Sequence, residues 1–214
     1  MRYITTLLLG PLLVLVLLAS PALAAEKSPA RQTLESKINQ VLVVLDKPEF
    51  KNTAKNAPLM QEVKDLIYEI CDFQEFSMRT LGAQWRNFTP DQQSRFMDAF
   101  SNLLFETYKS KLLEYDGQQI VFVSEIPFEN SNRLVIRTVI PGDGKEVPVD
   151  YRMIEKNGVW KVYDMIIENN ISLVQNYRGQ FQEILSKNKP DYLIDLVAKK
   201  AAEAKAKNDA VHSK

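Results

Sequence analysis

Histidine and cysteine are nearly absent from this chain: one of each, His212 and Cys71, among 214 residues. A single histidine near the C-terminus, in an Ala/Lys-rich stretch, leaves no partner for a Ser-His or Cys-His nucleophile. It also leaves zinc without its usual ligands. A single cysteine forms no internal disulfide, so stability must come from the core, for which the chain is long enough. Cys71 lies within DLIYEICDF, a helical pattern, and reads as a small buried hydrophobe. Also missing are GxSxG, the P-loop, GxGxxG, HExxH and CxxC, and with them the chemistries they serve. Charge of one sign is lacking as well. The 27 basic and 27 acidic residues give no basic face of the kind nucleic acid requires. After residue 24 no apolar run approaches the ~18 residues that span a bilayer.

The apolar run that is present stands at the start. Arg2, then Leu7 to Leu18 broken only by Gly10 and Pro11, then Ala22-Leu23-Ala24, is the pattern of a secretory signal peptide. The expectation is export with cleavage after Ala24. That leaves a lipid-free N-terminus, since no cysteine stands at the cleavage site. Residues 25–200 read as one domain and 201–214 as an Ala/Lys-rich tail, a solvated helix that frays.

The stretch from Val147 to Phe181 organises the rest. Asn157-Gly158 between two alternating apolar runs is a strong hairpin signal, because a type I′ turn needs positive φ at both central residues. Pairing Lys156 with Val159 sets Met153 opposite Val162 and Glu155 opposite Trp160. Val149, Tyr151, Met153, Trp160, Val162 and Ile166 then share a face, with Asp164 on it opposite Tyr151. Ser172 followed by Gln175 opens the next helix.

Upstream, helical spacing predicts helices from Pro29 to Asp46, Leu59 to Ile70 and Asp72 to Leu81, the last stopped by Gly82. Pro48 to Pro58 reads as a loop. Thr89-Pro90-Asp91-Gln92 is a capping box opening the longest helix, to about Tyr115. Strands are predicted over Gln118–Ile126 and Arg133–Ile140, joined to the hairpin by turns at Asn130–Asn132 and Pro141–Gly144. Helices follow from Ser172 and Pro190. Helices, a strand meander, then helices indicate an α+β fold, a four-stranded antiparallel sheet enclosed by N- and C-terminal helices.

Carboxylates are the remaining candidates for catalysis. Asp150 and Asp164 sit on the hairpin, and Asp164 interrupts an apolar face. It reads either as a general base with a raised pKa or as an acceptor for a tyrosine hydroxyl or for backbone N–H groups near the strand end. Periodicity alone does not separate a filled core from a lined cavity.

Several motifs together resemble the MlaC family of periplasmic phospholipid carriers, also known as toluene-tolerance auxiliary components. They are Val149 to Arg152 (VDYR), Gly158 to Asp164 (GVWKVYD), Ser172 to Val174 (SLV), Asn176 to Arg178 (NYR) and Gln180-Phe181. Upstream, Leu81-Gly82 with Trp85, and Thr89-Pro90 followed by Phe96, Phe100 and Tyr108, extend the likeness over roughly residues 30 to 200. The GVWKVYD strand is also similar to the wider NTF2-like cone, a curved sheet around a pocket. Some of that group are isomerases or dehydratases, which supplies an alternative: an exported enzyme using Asp164 or Asp150.

The resemblance to MlaC implies a non-enzymatic carrier without cofactor. It would shuttle phospholipid between an outer-membrane lipoprotein complex and an inner-membrane complex of an MCE subunit with an ABC transporter, maintaining outer-membrane lipid asymmetry. It also implies a monomer. Two acyl chains hold about thirty CH₂ groups at about 0.8 kcal/mol each, so the tails must be hidden from water. The residues expected to line them are Phe100, Leu104 and Tyr108 from the long helix, Val149, Tyr151, Met153, Trp160, Val162 and Ile166 from the hairpin, and Val174 from the next helix. Arg133, Arg137, Arg152 and Arg178 are candidates for a phosphate at the rim.

Overall fold

The computed structural model describes residues 26–52, 56–142, 144–168 and 171–212. The signal segment and its cleavage site lie outside them. Six α-helices and one antiparallel sheet are found among the described residues. In order these are α1 (Pro29–Leu45), a 3₁₀ turn (Pro48–Lys51), α2 (Ala57–Ile70), α3 (Phe73–Leu81), a 3₁₀ segment (Gly82–Asn87) and α4 (Pro90–Leu113). The strands are β1 (Val121–Pro127), β2 (Arg133–Ile140), β3 (Val147–Lys156), β4 (Val159–Ile167) and the two-residue β5 (Ile171–Ser172). The last described elements are α5 (Leu173–Leu185) and α6 (Pro190–His212).

Helix starts follow local chemistry. Ser28, Asp72, Thr89 and Ser172 each accept a hydrogen bond from the backbone N–H three residues on. At Thr89 the box is reciprocal: Gln92 N–H donates to Thr89 Oγ1 at 3.2 Å, and Thr89 N–H donates to Gln92 Oε1 at 3.0 Å. Each such cap contributes about 1 kcal/mol. Gly82 ends α3 with φ at 58°, a conformation that a side chain would strain.

The sheet is a meander in the order β1-β2-β3-β4-β5. Asn157 and Gly158 form the tight turn with φ of 53° and 79°, and Lys156–Val159, Glu155–Trp160 and Met153–Val162 pair as the hairpin signal requires. Beyond Met153 the register departs from simple alternation. A bulge at Tyr163 sets Asp164 opposite Arg152 rather than Tyr151. Met165 and Ile167 therefore face Tyr151 and Val149 on the apolar side. Ile166, expected on that side, pairs with Asp150 and falls on the other face. A second bulge in β1, between Phe122 and Ser124, brings Glu125 opposite Ile136.

One face of the sheet packs against the helices. Leu134, Ile136, Met153 and Val162 join Phe96, Phe100, Leu104 and Phe181 in one contiguous buried cluster. A second cluster lies outside the sheet, between the C-terminal half of α1, the 3₁₀ turn, α2 and the C-terminal half of α4. Its buried members are Val44, Leu45, Phe50, Met60, Val63 and Phe105. Residues 201–212 continue α6 as one helix that runs parallel to α4, and Ala201 is buried. Asn208 Nδ2 donates to the Glu106 carbonyl at 2.8 Å, and Arg95 pairs with Asp191 at 2.9 Å. Small alanine side chains let this helix approach α4 on one side, while most residues from 202 to 210 remain exposed.

Candidate functional site

The apolar wall and the helices opposite it form the candidate site. Met153 and Val162 are fully buried at its centre, and Tyr151 and Trp160 pack against it partly buried. From α4, Phe100 and Leu104 are buried in the same cluster, with Tyr108 partly buried beside them. Val174, at the second position of α5, closes one side. Val149 is buried on the same sheet face, opposite Thr138 and Ile167. Nine of the ten expected lining residues thus share one face or the helices against it, and Ile166 does not.

Aromatic side chains of α4 and α5 pack against one another on one side of this interior. Phe96 and Phe100 stack with ring centroids 5.5 Å apart, and Phe181 meets both edge-on at 5.7 and 5.5 Å. Tyr177 closes the group 5.1 Å from Phe100. These spacings are those of packed aromatic rings. These rings and the aliphatic side chains of the same cluster lie between the sheet and the helices. A polar depression does exist, lined by Lys51, Glu114, Asp116, Gln118 and Pro141 among others. It lies by the C-terminal end of α4 and presents charge rather than apolar surface.

Sequence reasoning missed Met165 and Ile167, because alternation cannot foresee a bulge. It also left out Leu134 and Ile136 of β2, which face Met153 and Tyr151. The signal was present, since β2 alternates Leu134, Ile136, Thr138 and Ile140.

Burial defines the titration of the interior hydroxyls. Desolvation raises the phenols of Tyr108, Tyr151 and Tyr177 above their ordinary value. The Cys71 thiol is pushed up to about 12 by burial. A thiol held neutral is a poor nucleophile, in keeping with the reading of Cys71 as a hydrophobe.

Asp164 is 1% exposed and fully committed to hydrogen bonds. Its carboxylate accepts from Arg152 Nη1 at 2.9 Å, Ser172 Oγ at 2.7 Å, Val174 N–H at 3.0 Å and Met165 N–H at 2.9 Å. It therefore sits at the N-terminus of α5, where a negative charge is stabilised by the helix dipole. Ser172 in turn accepts from Gln175 N–H. Of the two roles open to Asp164, the acceptor near the strand end is the one it occupies. Asp150 pairs with Arg137 at 3.5 Å on the sheet face away from the apolar wall. No group of three or more His, Cys, Asp or Glu among the described residues is placed to hold a metal ion.

The arginines do not gather into a phosphate clamp. Arg133, Arg137 and Arg152 all lie on the sheet face opposite the wall. Arg133 stacks over the Phe128 ring at 5.2 Å, and Arg178 lies against Gly82. Among the described residues no helix is long and apolar enough to cross a membrane.

Comparison with known proteins places this architecture. A solved phospholipid-binding protein from Ralstonia solanacearum, in complex with a phospholipid, superposes with a TM-score of 0.75 at 25% identity. The match covers 83% of this chain and 99% of that one. The toluene tolerance protein ttg2D of Pseudomonas putida is 32% identical over 127 residues, 58% of each chain. The intermembrane phospholipid transport system binding protein MlaC of Haemophilus influenzae is 27% identical over 129 residues, 58% of this chain and 60% of that one. The chain thus spans less than two thirds of the length of these two relatives. The MlaC protein family model matches residues 35–199, most of the described structure, and the chain belongs to the MlaC family.

Proposed function

We propose that this chain is a phospholipid carrier that hides acyl chains between the apolar face of its sheet and helices α4 and α5. The observation that carries this reading is the contiguous apolar cluster between sheet and helices, in a fold shared with a protein solved holding a phospholipid. Cargo replaces contacts that the side chains make with one another in the closed form. Apolar burial is non-directional, so a methylene chain substitutes for a displaced ring at modest net cost. The mature domain begins after a cleaved signal peptide and works in the periplasm. It exchanges lipid with an outer-membrane lipoprotein complex and an inner-membrane MCE–ABC transporter complex. The energy for directional transfer comes from the transporter, since this chain carries no nucleotide-binding motif. A carrier needs no reacting group, and Asp164, bound by Arg152, Ser172 and the start of α5, serves the fold.

Native mass spectrometry of protein purified without detergent tests the reading. The expected result is an adduct of phospholipid mass that denaturation releases as diacyl lipid. Protein that emerges lipid-free, and takes up none from vesicles, would overturn it.

A further inference from the structure

Two buried hydroxyls beside the main apolar cluster have no partner. Ser77 and Thr80 on α3 are both 0% exposed, and neither Ser77 Oγ nor Thr80 Oγ1 makes a hydrogen bond. Their position on the helix fixes where they point. Residues three and four apart share a helix face, so Phe76 with Thr80, and Ser77 with Leu81, form one buried quartet. Phe76 and Leu81 belong to the main apolar cluster, and α3 packs against α4, α5 and β4. The two residues lie in the arc between those cluster members, on the face that α3 buries.

Such hydroxyls normally satisfy themselves. A serine or threonine inside a helix can donate back to the carbonyl four residues earlier. Thr33 does so to Pro29 at 2.8 Å, and Thr107 does so to Leu103 at 2.7 Å. Ser77 and Thr80 do not, although they are the more deeply buried. A buried polar group left unpaired costs about 1–3 kcal/mol. Alanine and valine would fill the same space without that cost.

We infer that Ser77 and Thr80 form a polar subsite for the cargo, donating hydrogen bonds to the ester carbonyls that join acyl chains to glycerol. This rests on the carrier reading above. The chemistry matches. An ester carbonyl accepts and cannot donate, each hydroxyl can donate, and the carbonyls are polar groups that must follow the upper chain segments out of water. The subsite fixes how deep the lipid sits while the aromatic rings of α4 and α5 yield to its tails. It selects diacyl lipids over hydrocarbon of equal length.

The test offers the lipid-free mature protein an equimolar mixture of a diacyl phosphatidylglycerol and the dialkyl ether lipid of the same chain length. The ratio of the two adducts is read by native mass spectrometry. Wild type is expected to favour the ester by roughly five- to tenfold, as one or two hydrogen bonds allow. In Ser77→Ala/Thr80→Val that preference falls to near one, whereas Thr80→Ser, which keeps both hydroxyls, retains it. The lipid-free double variant is expected to melt no lower than wild type, since it loses only unpaired groups. Equal uptake of the two lipids by wild type, or a preference surviving in the double variant, would overturn the subsite while leaving the carrier reading intact. Uptake of neither lipid by wild type would overturn both.

Discussion

The two apolar clusters are built from similar residues but differ in what surrounds them. The smaller one joins helix to helix. Val44, Leu45, Met60 and Val63 interlock with Phe105, and its border carries Lys64, whose ammonium lies 5.4 Å from both the Tyr68 and Phe105 rings and donates to Asn102 at 2.7 Å. The larger one joins helices to a sheet, is rich in aromatic rings, and has beside it buried hydroxyls that have no partner. A helix-only cluster whose one unpaired hydroxyl, Tyr68, stands at its border is a foundation. A sheet-backed cluster with buried unpaired donors beside it is a place where something else can sit. Helix α4 belongs to both, with Phe96, Phe100 and Leu104 in the larger and Phe105, Leu112 and Leu113 in the smaller.

The largest effect is expected at the joint between sheet and helix. Asp164→Ala leaves Arg152 and the start of α5 without their acceptor, and removing one member of a buried ion pair costs about 3–5 kcal/mol. Chemical denaturation should show that loss; an unchanged midpoint would mean that α5 is held by packing alone. The comparison itself is sharpened by a matched pair. Met60→Ala and Met153→Ala each remove a buried methionine, one per cluster, and each is expected to cost about 2–5 kcal/mol in lipid-free protein. Added phospholipid should raise the melting temperature of Met60→Ala by the wild-type increment and change that increment only in Met153→Ala. Equal changes in both would erase the distinction between foundation and site.

Alkaline pH probes the larger cluster through its own groups. Burial raises Tyr108, Tyr151 and Tyr177 from an ordinary 10.0, and takes Cys71 from 9.0 to about 12. A folded-state pKa above the unfolded value favours folding fully below the unfolded pKa, and the contribution is lost as pH rises towards the folded one. Melting temperature should therefore hold steady to about pH 8.5 and fall from there. Cys71→Ala should remove the first part of the fall, and a thiol reagent at pH 8 should label Cys71 far more slowly in native than in urea-unfolded protein.

Much of this architecture is legible in the sequence because local chemistry and tertiary need agree. Asn157-Gly158 demands a tight turn, Thr89 and Gln92 cap each other, and the Lys156–Val159 register follows from loop length. The reading fails where a tertiary contact overrides period two. Asp164 must reach the Val174 N–H and the Ser172 hydroxyl, and the bulge at Tyr163 turns it there, taking Ile166 off the wall and bringing Met165 and Ile167 onto it. Only a lone aspartate in an apolar alternation, eight residues before a helix-capping serine, hints at this. The contact that α6 makes with α4 at Asn208 escaped for a different reason. Alanine and lysine carry no strong periodic signal, and the contact depends on how closely a small side chain lets two helices approach.

The smallest expected effect tests the element that the two clusters share. Thr89→Ala removes the side-chain half of the α4 capping box, leaving the Gln92 N–H without its Oγ acceptor. The loss is about 1 kcal/mol, because the site is exposed and water partly replaces the bond. Fraying of the first turn acts through Phe96, the first buried ring of α4 and a neighbour of both Phe100 and Phe181 in the larger cluster. The smaller cluster takes its contacts from Phe105 onward, more than three turns away at 3.6 residues per turn. Hydrogen exchange should therefore quicken at the N-terminal end of α4 and stay at the wild-type rate around Phe105. Uniform quickening along the helix would show that α4 responds as a single cooperative rod and that the two clusters are one structural unit.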